Sequence, residues 1–473
     1  MSETLHAIHL GKAPLALDLS DGSERGEYVD QDYILHLLGR PHRNINLMYT
    51  YYPKDKEWPA RISEACKDME VSFAWDYPYD DYFPFGVNDE PFKYMKDIRR
   101  HGQDVTLTIT IDCSLDDDTL RSFAKQLKPY GRMRLRINHE CTGNWFTHNK
   151  RFSFKEIGDF FVRFNSIIKE EAPNVKTILC AGFAESEDKS VEREEDLIEA
   201  YKAADIWSAD RYLALHYGWP YDIAEKDDGG RHTFTPTEKT YNDFKNTSLR
   251  LRKITGQNKP MISGELNADG DVTGPLHQGE TLKRFLEHIK NDKADWFDSI
   301  TFYQFRDRGR LGLEIEDPNN KNAGIAQPIL KDYKEIMADP YYQIPVIKDG
   351  ETQLPFKFRW GGAEDSEGLA LDIHFEANPE FCEIYFEEDL SLMMELNGRW
   401  FYKAPGTKCV DLMEAFFDKP LSGPTDLDLK FFATPSEGVN TDDGRDDWDV
   451  NYYAAMTKMP TLRIRYEPVS IVS

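Results

Sequence analysis

Between about residue 14 and residue 340 the chain repeats one pattern, a short apolar β-rich run followed by a stretch of helical period. The runs are Leu15–Leu19, Ile45–Tyr52, Val71–Trp75, Val105–Ile111, Met133–Asn138, Val175–Cys180, Tyr212–Leu215, Pro260–Gly264 and Ile300–Phe305. Helical stretches separate them, among them Trp58–Met69, Phe92–His101, Leu120–Leu127, Phe154–Glu171, Glu194–Ala204, Tyr241–Thr255, Gly279–Lys290 and Gln327–Ala338. Strands that are apolar along their whole length are buried on both faces, as in a parallel sheet covered by helices. So many repeats in succession predict an α/β protein, either a closed (β/α)8 TIM barrel or a doubly wound sheet. No glycine-rich phosphate turn follows an early strand, which removes the usual signature of the doubly wound sheet. The strand candidates exceed by one the eight that a barrel takes, so one of the first three is predicted to lie outside it.

After Pro340 the pattern changes. Short alternating runs at Leu369–Phe375, Cys382–Phe386, Trp400–Tyr402, Leu427–Ala433 and Leu462–Tyr466 are separated by Gly, Pro and Asp turns. They predict a C-terminal antiparallel β-sandwich over 346–473, following a barrel over 1–345. The acidic stretch Asn440–Tyr453 reads as a solvated loop, because it lacks the spacing and closing Glu of an EF-hand. The sandwich is expected to buttress the barrel, or to bind carbohydrate through Trp448 and Tyr453.

Charge narrows the partners. With 84 acidic against 58 basic residues, the net charge is −26, which repels nucleic acid and anionic membranes. No apolar run approaches the roughly 20 residues needed to span a bilayer. Met1–Lys12 is polar and lacks a secretory layout, which predicts a cytoplasmic protein, or a secreted or periplasmic one if a leader has been removed. The six cysteines are far apart, and Cys113, Cys141 and Cys180 fall in or just after strands, as reduced thiols do. No CxxC or HExxH pattern appears, so neither a metal nor another cofactor is expected. Nothing in the sequence indicates the oligomeric state.

Two glutamates stand where a barrel does its chemistry, at the C-terminal ends of strands. Glu140 closes "MRLRINHE" before the loop "CTGNWF", and Glu265 closes "KPMISGE" before "LNADGDVTG". Cleavage of a glycosidic bond needs one carboxyl group to protonate the leaving oxygen and a second to attack or to activate water. Carboxylates on the fourth and seventh strands would face one another across the barrel mouth. A separation of roughly 5–5.5 Å would make the enzyme retaining.

Around these glutamates the chain resembles clan A glycoside hydrolases, most closely the family 26 mannanases. Arg136, His139, Glu140, Gly143 and Trp145 match the Arg, His-Glu, Gly, Trp pattern of the acid/base strand. "YLALHYGWP" is similar to the clan's sixth strand and "ISGE" to its seventh, which implies Glu140 as acid/base and Glu265 as nucleophile. By the same resemblance His216 and Tyr217 stand near the nucleophile, with Tyr217 expected to hydrogen-bond Glu265 and Arg136 to orient Glu140. The eighth strand departs from the pattern, offering Tyr303 and Gln304 where the clan has a Trp. Trp75, Trp145 and Trp219 are expected as sugar platforms. Arg306, Arg308 and Arg310, just beyond the last strand, are expected to hold an acidic group of the substrate or to neutralise nearby carboxylates.

These features predict a retaining endo-glycoside hydrolase acting on a β-linked polysaccharide or oligosaccharide of the mannan, β-glucan or β-xylan class. The alternatives are a glycosidase for an acidic or sulfated glycan, and a glycan-binding barrel without catalysis.

Overall fold

The structure, a computed structural model, describes residues 4–22, 28–51, 83–85, 90–143, 151–184, 195–216, 232–307, 309–360, 366–439 and 452–467. Eight parallel strands close a barrel: β1 Ala16–Ser20, β2 Asn44–Tyr51, β3 Asp104–Thr110, β4 Met133–Ile137, β5 Val175–Phe183, β6 Ile206–Asp210, β7 Met261–Leu266 and β8 Phe297–Phe302. Closure is made by β8 against β1, where Ser299 pairs with Ala16 and Phe302 with Leu19. A helix follows every strand: α1 Gln31–Leu38, α2 Phe92–Arg100, α3 Asp117–Leu127, α4 Phe154–Glu171, α5 Ile198–Ala203, α6 Thr237–Thr255, α7 Gln278–Asp292 and α8 Ile329–Ala338. The ends of these helices are written in the sequence. Ser153 and Glu156 form a reciprocal capping box at the start of α4, and Asp116 caps α3. Between helices and strands, Phe123, Phe161, Phe164, Phe244 and Phe285 pack against the outer faces of the barrel.

The ring closes on eight strands that include the first two candidates, while the third, Val71–Trp75, lies outside the described residues. It differs from the sequence expectation at one strand. The sixth strand is Ile206–Asp210, not Tyr212–Leu215. Residues Ala214–His216 instead form a two-stranded antiparallel ribbon with His232–Phe234 beyond the barrel mouth. Ile206–Asp210 escapes a reading by pattern because it follows α5 after a break of only two residues.

The second region is a sandwich. Its larger sheet runs, in order, through Val346–Glu351, Leu5–Leu10, Glu367–Phe375, Thr425–Ala433, Leu392–Leu396 and Arg399–Lys403. Cys409–Asp411, Phe381–Tyr385 and Thr461–Arg465 make a smaller sheet. Leu371, Phe375, Met394, Leu429 and Phe431 from the first face Cys382 and Ile384 from the second in one buried core. Leu5–Leu10, at the start of the segment assigned to the barrel, is an inner strand of the larger sheet.

The sandwich docks on the end of the barrel opposite the strand C-termini. Trp400 N donates to Gly39 O (2.9 Å) just before β2, and the Tyr402 ring lies 4.1 Å from that of His101 just before β3. The mouth of the barrel is left to the βα loops.

Candidate active site

Beyond Ile137 the chain leaves β4 in a tight turn, with Asn138 at φ 46° and Glu140 at φ 53°. Both lie in the left-handed region, which Asn tolerates better than most residues. The Asn138 amide clasps the end of β3: Ile111 N donates to its Oδ1 (2.8 Å) and its Nδ2 donates to Ile111 O (2.9 Å). On the other side Thr142 N donates to Ala181 O in β5 (2.7 Å). Glu140 is thus carried on a turn fastened to both neighbouring strands, and its side chain is buried.

Glu265 lies in β7 with 7% of its surface exposed. Arg136 Nη1 donates to Oε1 at 2.9 Å and Tyr212 Oη donates to Oε2 at 2.8 Å. His139 Nε2 stands 3.6 Å from Oε1. A third carboxylate joins the pair. Asp210, the last residue of β6, is ion-paired with Arg136 and shares a hydrogen bond with Glu140. Oxygens of Glu140, Asp210 and Glu265 all lie within 4.8 Å of one another.

The electrostatics follow from burial. Enclosure pushes Asp210 up to about 7, with Arg136 opposing that rise and Glu265 adding to it. Burial alone would lower Arg136, but Asp210, Cys180 and Glu265 hold its guanidinium well above its ordinary value. The result is one permanent cation beneath three carboxyl groups. Three such oxygens are also close enough to hold a cation, although the Arg136 guanidinium already supplies countercharge at that point. Room for the guanidinium comes from Gly264, where a Cβ would lie 2.7 Å from both Arg136 Cζ and Asp210 Oδ1. The glycine of "ISGE" is a packing requirement of the ion pair.

The residues expected from sequence distribute as follows. Arg136, His139, Glu140 and Glu265 converge. Arg136, expected to orient Glu140, is 1% exposed and binds Glu265 and Asp210. Tyr303 is buried edge-on against the Tyr212 ring (5.7 Å), adjoining the site. Gln304 is turned away, its Nε2 donating to Asp307 (3.1 Å). His216 is buried on the ribbon beyond β6, its backbone N bonded to Asp269 Oδ2 (3.2 Å). Of the two places expected for Arg306, substrate or neutralised carboxylate, it takes the second: it is buried against Glu314 (3.0 Å) and lies over the Tyr33 ring (5.2 Å), which commits it to the fold. Trp75, Trp145, Tyr217, Trp219 and Arg308 lie outside the described residues. Among the described residues the tyrosine that donates to Glu265 is Tyr212.

Sequence reasoning missed Asp210 and Tyr212. The available signal was an acidic residue ending the apolar run "IWSAD", the same position that marked Glu140 and Glu265.

No protein-family model and no curated protein matches the sequence. Solved structures are similar at low identity. A GH26 β-mannanase from Bacteroides ovatus is 13% identical with a TM-score of 0.43, over 70% of this chain and 90% of that one. A Cellulomonas fimi endo-β-1,4-mannanase double mutant is 12% identical with a TM-score of 0.45, over 88% and 94%. A family 51 α-L-arabinofuranosidase from Bifidobacterium longum is 10% identical with a TM-score of 0.43, over 91% and 98%. At these values the likeness says nothing about the reaction.

Proposed function

We propose that the barrel is a retaining glycoside hydrolase that cleaves a β-linked polysaccharide of the mannan, β-glucan or β-xylan class in endo fashion. The observation that carries this reading is the pairing of Glu140 with Glu265 across the barrel mouth, oxygens within 4.8 Å. An inverting enzyme needs room for a water between its carboxyl groups, at roughly 6.5–9.5 Å. A short separation fits direct attack on the sugar.

Glu265 is the nucleophile. Donors on both its oxygens fix its direction. It attacks the anomeric carbon while Glu140 protonates the departing glycosidic oxygen. Glu140, now ionised, takes a proton from water, which displaces Glu265 from the glycosyl-enzyme. Burial raises Asp210, but Arg136 and its hydrogen bond with Glu140 oppose that rise, so Asp210 is placed to accept from the Glu140 carboxyl, which keeps the proton an acid needs.

The alternative of an acidic or sulfated substrate loses Arg306, whose guanidinium is taken by Glu314. A barrel that only binds glycans would have no need of the donors that orient Glu265.

Chemical rescue tests the assignment. Glu265→Ala assayed on mannan, mixed-linkage β-glucan and xylan is expected to lose activity by several orders of magnitude, and azide should restore turnover as a glycosyl azide of inverted configuration. Turnover by Glu265→Ala without azide would rule out Glu265 as nucleophile.

A further inference from the structure

The seam between barrel and sandwich is incompletely packed. One opening in it, about 560 Å³, lies between the C-terminal ends of α1 and α8 and, on the sandwich, the turn at 397–398 with the segment 414–419. Two small voids, about 20 and 30 Å³, share Arg40 and Ile344 with it, so Arg40 borders all three.

Charge in the large cavity runs against the protein as a whole. In a chain of net charge −26, five cations line this opening against three carboxylates. Lys430 is taken by Glu395 and Arg399 by Glu414. That leaves Arg40, Lys334 and Lys419 facing Asp418, and among the described residues none of the three has an ion-pair partner. Arg40 uses one donor on Met337 O (2.8 Å), at the last turn of α8, and a guanidinium has five. Burial pushes it down to about 10, with only partial relief from Glu395. Arg40 is half-buried, and a guanidinium partly withdrawn from water gains from a partner.

Two of the cations lie against glycines of the seam: a Cβ on Gly39 would lie 2.7 Å from Arg399 Nη1, and one on Gly398 would lie 2.9 Å from Lys419 Nζ. Arg399 Nε is buried without a hydrogen-bond partner. Trp400, half-buried and stacked on Phe432 at 5.5 Å, borders the same opening.

We propose that this seam is a second binding site, at the opposite end of the barrel from the carboxylate cleft, for a small molecule bearing a carboxylate or phosphate group. The oxyanion sits on Arg40 within reach of Lys419 and Lys334, and the rest of the molecule lies beside Trp400. Because both domains contribute, occupancy ties sandwich to barrel and stabilises the pair.

Calorimetric titration of the full chain with glucuronate, glucose 6-phosphate, inorganic phosphate and neutral glucose tests this. Saturable binding is expected for at least one anion and not for glucose, with a matching rise in Tm. The tighter of glucuronate and glucose 6-phosphate identifies the preferred group, and equal binding by inorganic phosphate shows that the oxyanion alone is recognised. Arg40→Gln should weaken binding roughly tenfold or more. Since that change also removes the contact with α8, Lys419→Glu serves as a second variant and should weaken binding in the same direction. The proposal is overturned if no anion exceeds the effect of sodium chloride at equal ionic strength, or if binding survives both substitutions unchanged.

Discussion

At Glu265 each carboxylate oxygen has its own donor, Arg136 on one and Tyr212 on the other. A hydrogen bond to an ionised group contributes about 1.5–3 kcal/mol, so Tyr212→Phe is expected to lower kcat/KM by about 10- to 100-fold. Steady-state kinetics on the best polysaccharide would show it, and a kcat/KM unchanged within about twofold would remove Tyr212 from the account. Gly264 makes a complementary demand. A methyl group there has to displace the Arg136–Asp210 pair, and Gly264→Ala should cost about 1–3 kcal/mol of stability as overpacking does. It should also depress activity beyond what that loss explains, because the guanidinium it moves orients Glu265. Urea denaturation beside kinetics separates the two effects.

Among the elements, the turn after β4 sets where Glu140 can point. Its fastening depends on the two Asn138 hydrogen bonds to Ile111 and on a left-handed backbone. Asn138→Gly keeps the backbone freedom and loses the clasp, whereas Asn138→Ala loses both. Both variants are expected to lose kcat, with Asn138→Ala also the less stable by about 1 kcal/mol; wild-type kcat in Asn138→Gly would show that the backbone conformation alone matters. The same comparison shows what the sequence could tell. Strands such as β3 and β7 are long apolar runs, and the glutamates at β4 and β7 stand out because chemistry at strand ends is a rule of the fold. β6 was missed because it begins two residues after α5 and its run merges with the helical pattern, and Asp210 and Tyr212 were missed with it. Arg306 looked available because its neutralising partner, Glu314, arrives from a separate turn that periodicity does not place.

Across the whole molecule the two ends of the barrel do different work. The mouth holds the carboxylates, while the opposite end is tied by ions and covered in part by the sandwich. There Asp298 accepts from Arg43 (3.2 Å) and Arg134 (3.4 Å), and Asp18 from the same two residues at 3.1 and 3.3 Å, joining β1, β2, β4 and β8. Burial opposes the Asp298 charge, but Arg43, Arg134 and Lys12 hold its carboxyl well below the usual range. Its folded value therefore lies under the unfolded value of about 3.9. Such a group stabilises the fold above about pH 4, and that contribution is lost as the pH falls toward the depressed value. Asp298→Asn should cost about 3–5 kcal/mol at neutral pH, as breaking a buried pair does, and should flatten the stability curve below about pH 4. Urea melts from neutral to acid pH would show an unchanged slope if the network carried no charge-dependent stability. The most direct test of the account as a whole is the configuration of the first product, followed by proton NMR as the wild-type enzyme cuts its preferred polysaccharide. Attack by Glu265 with Glu140 as acid/base predicts that the β-anomer forms first and then mutarotates, whereas initial release of the α-anomer would contradict the mechanism.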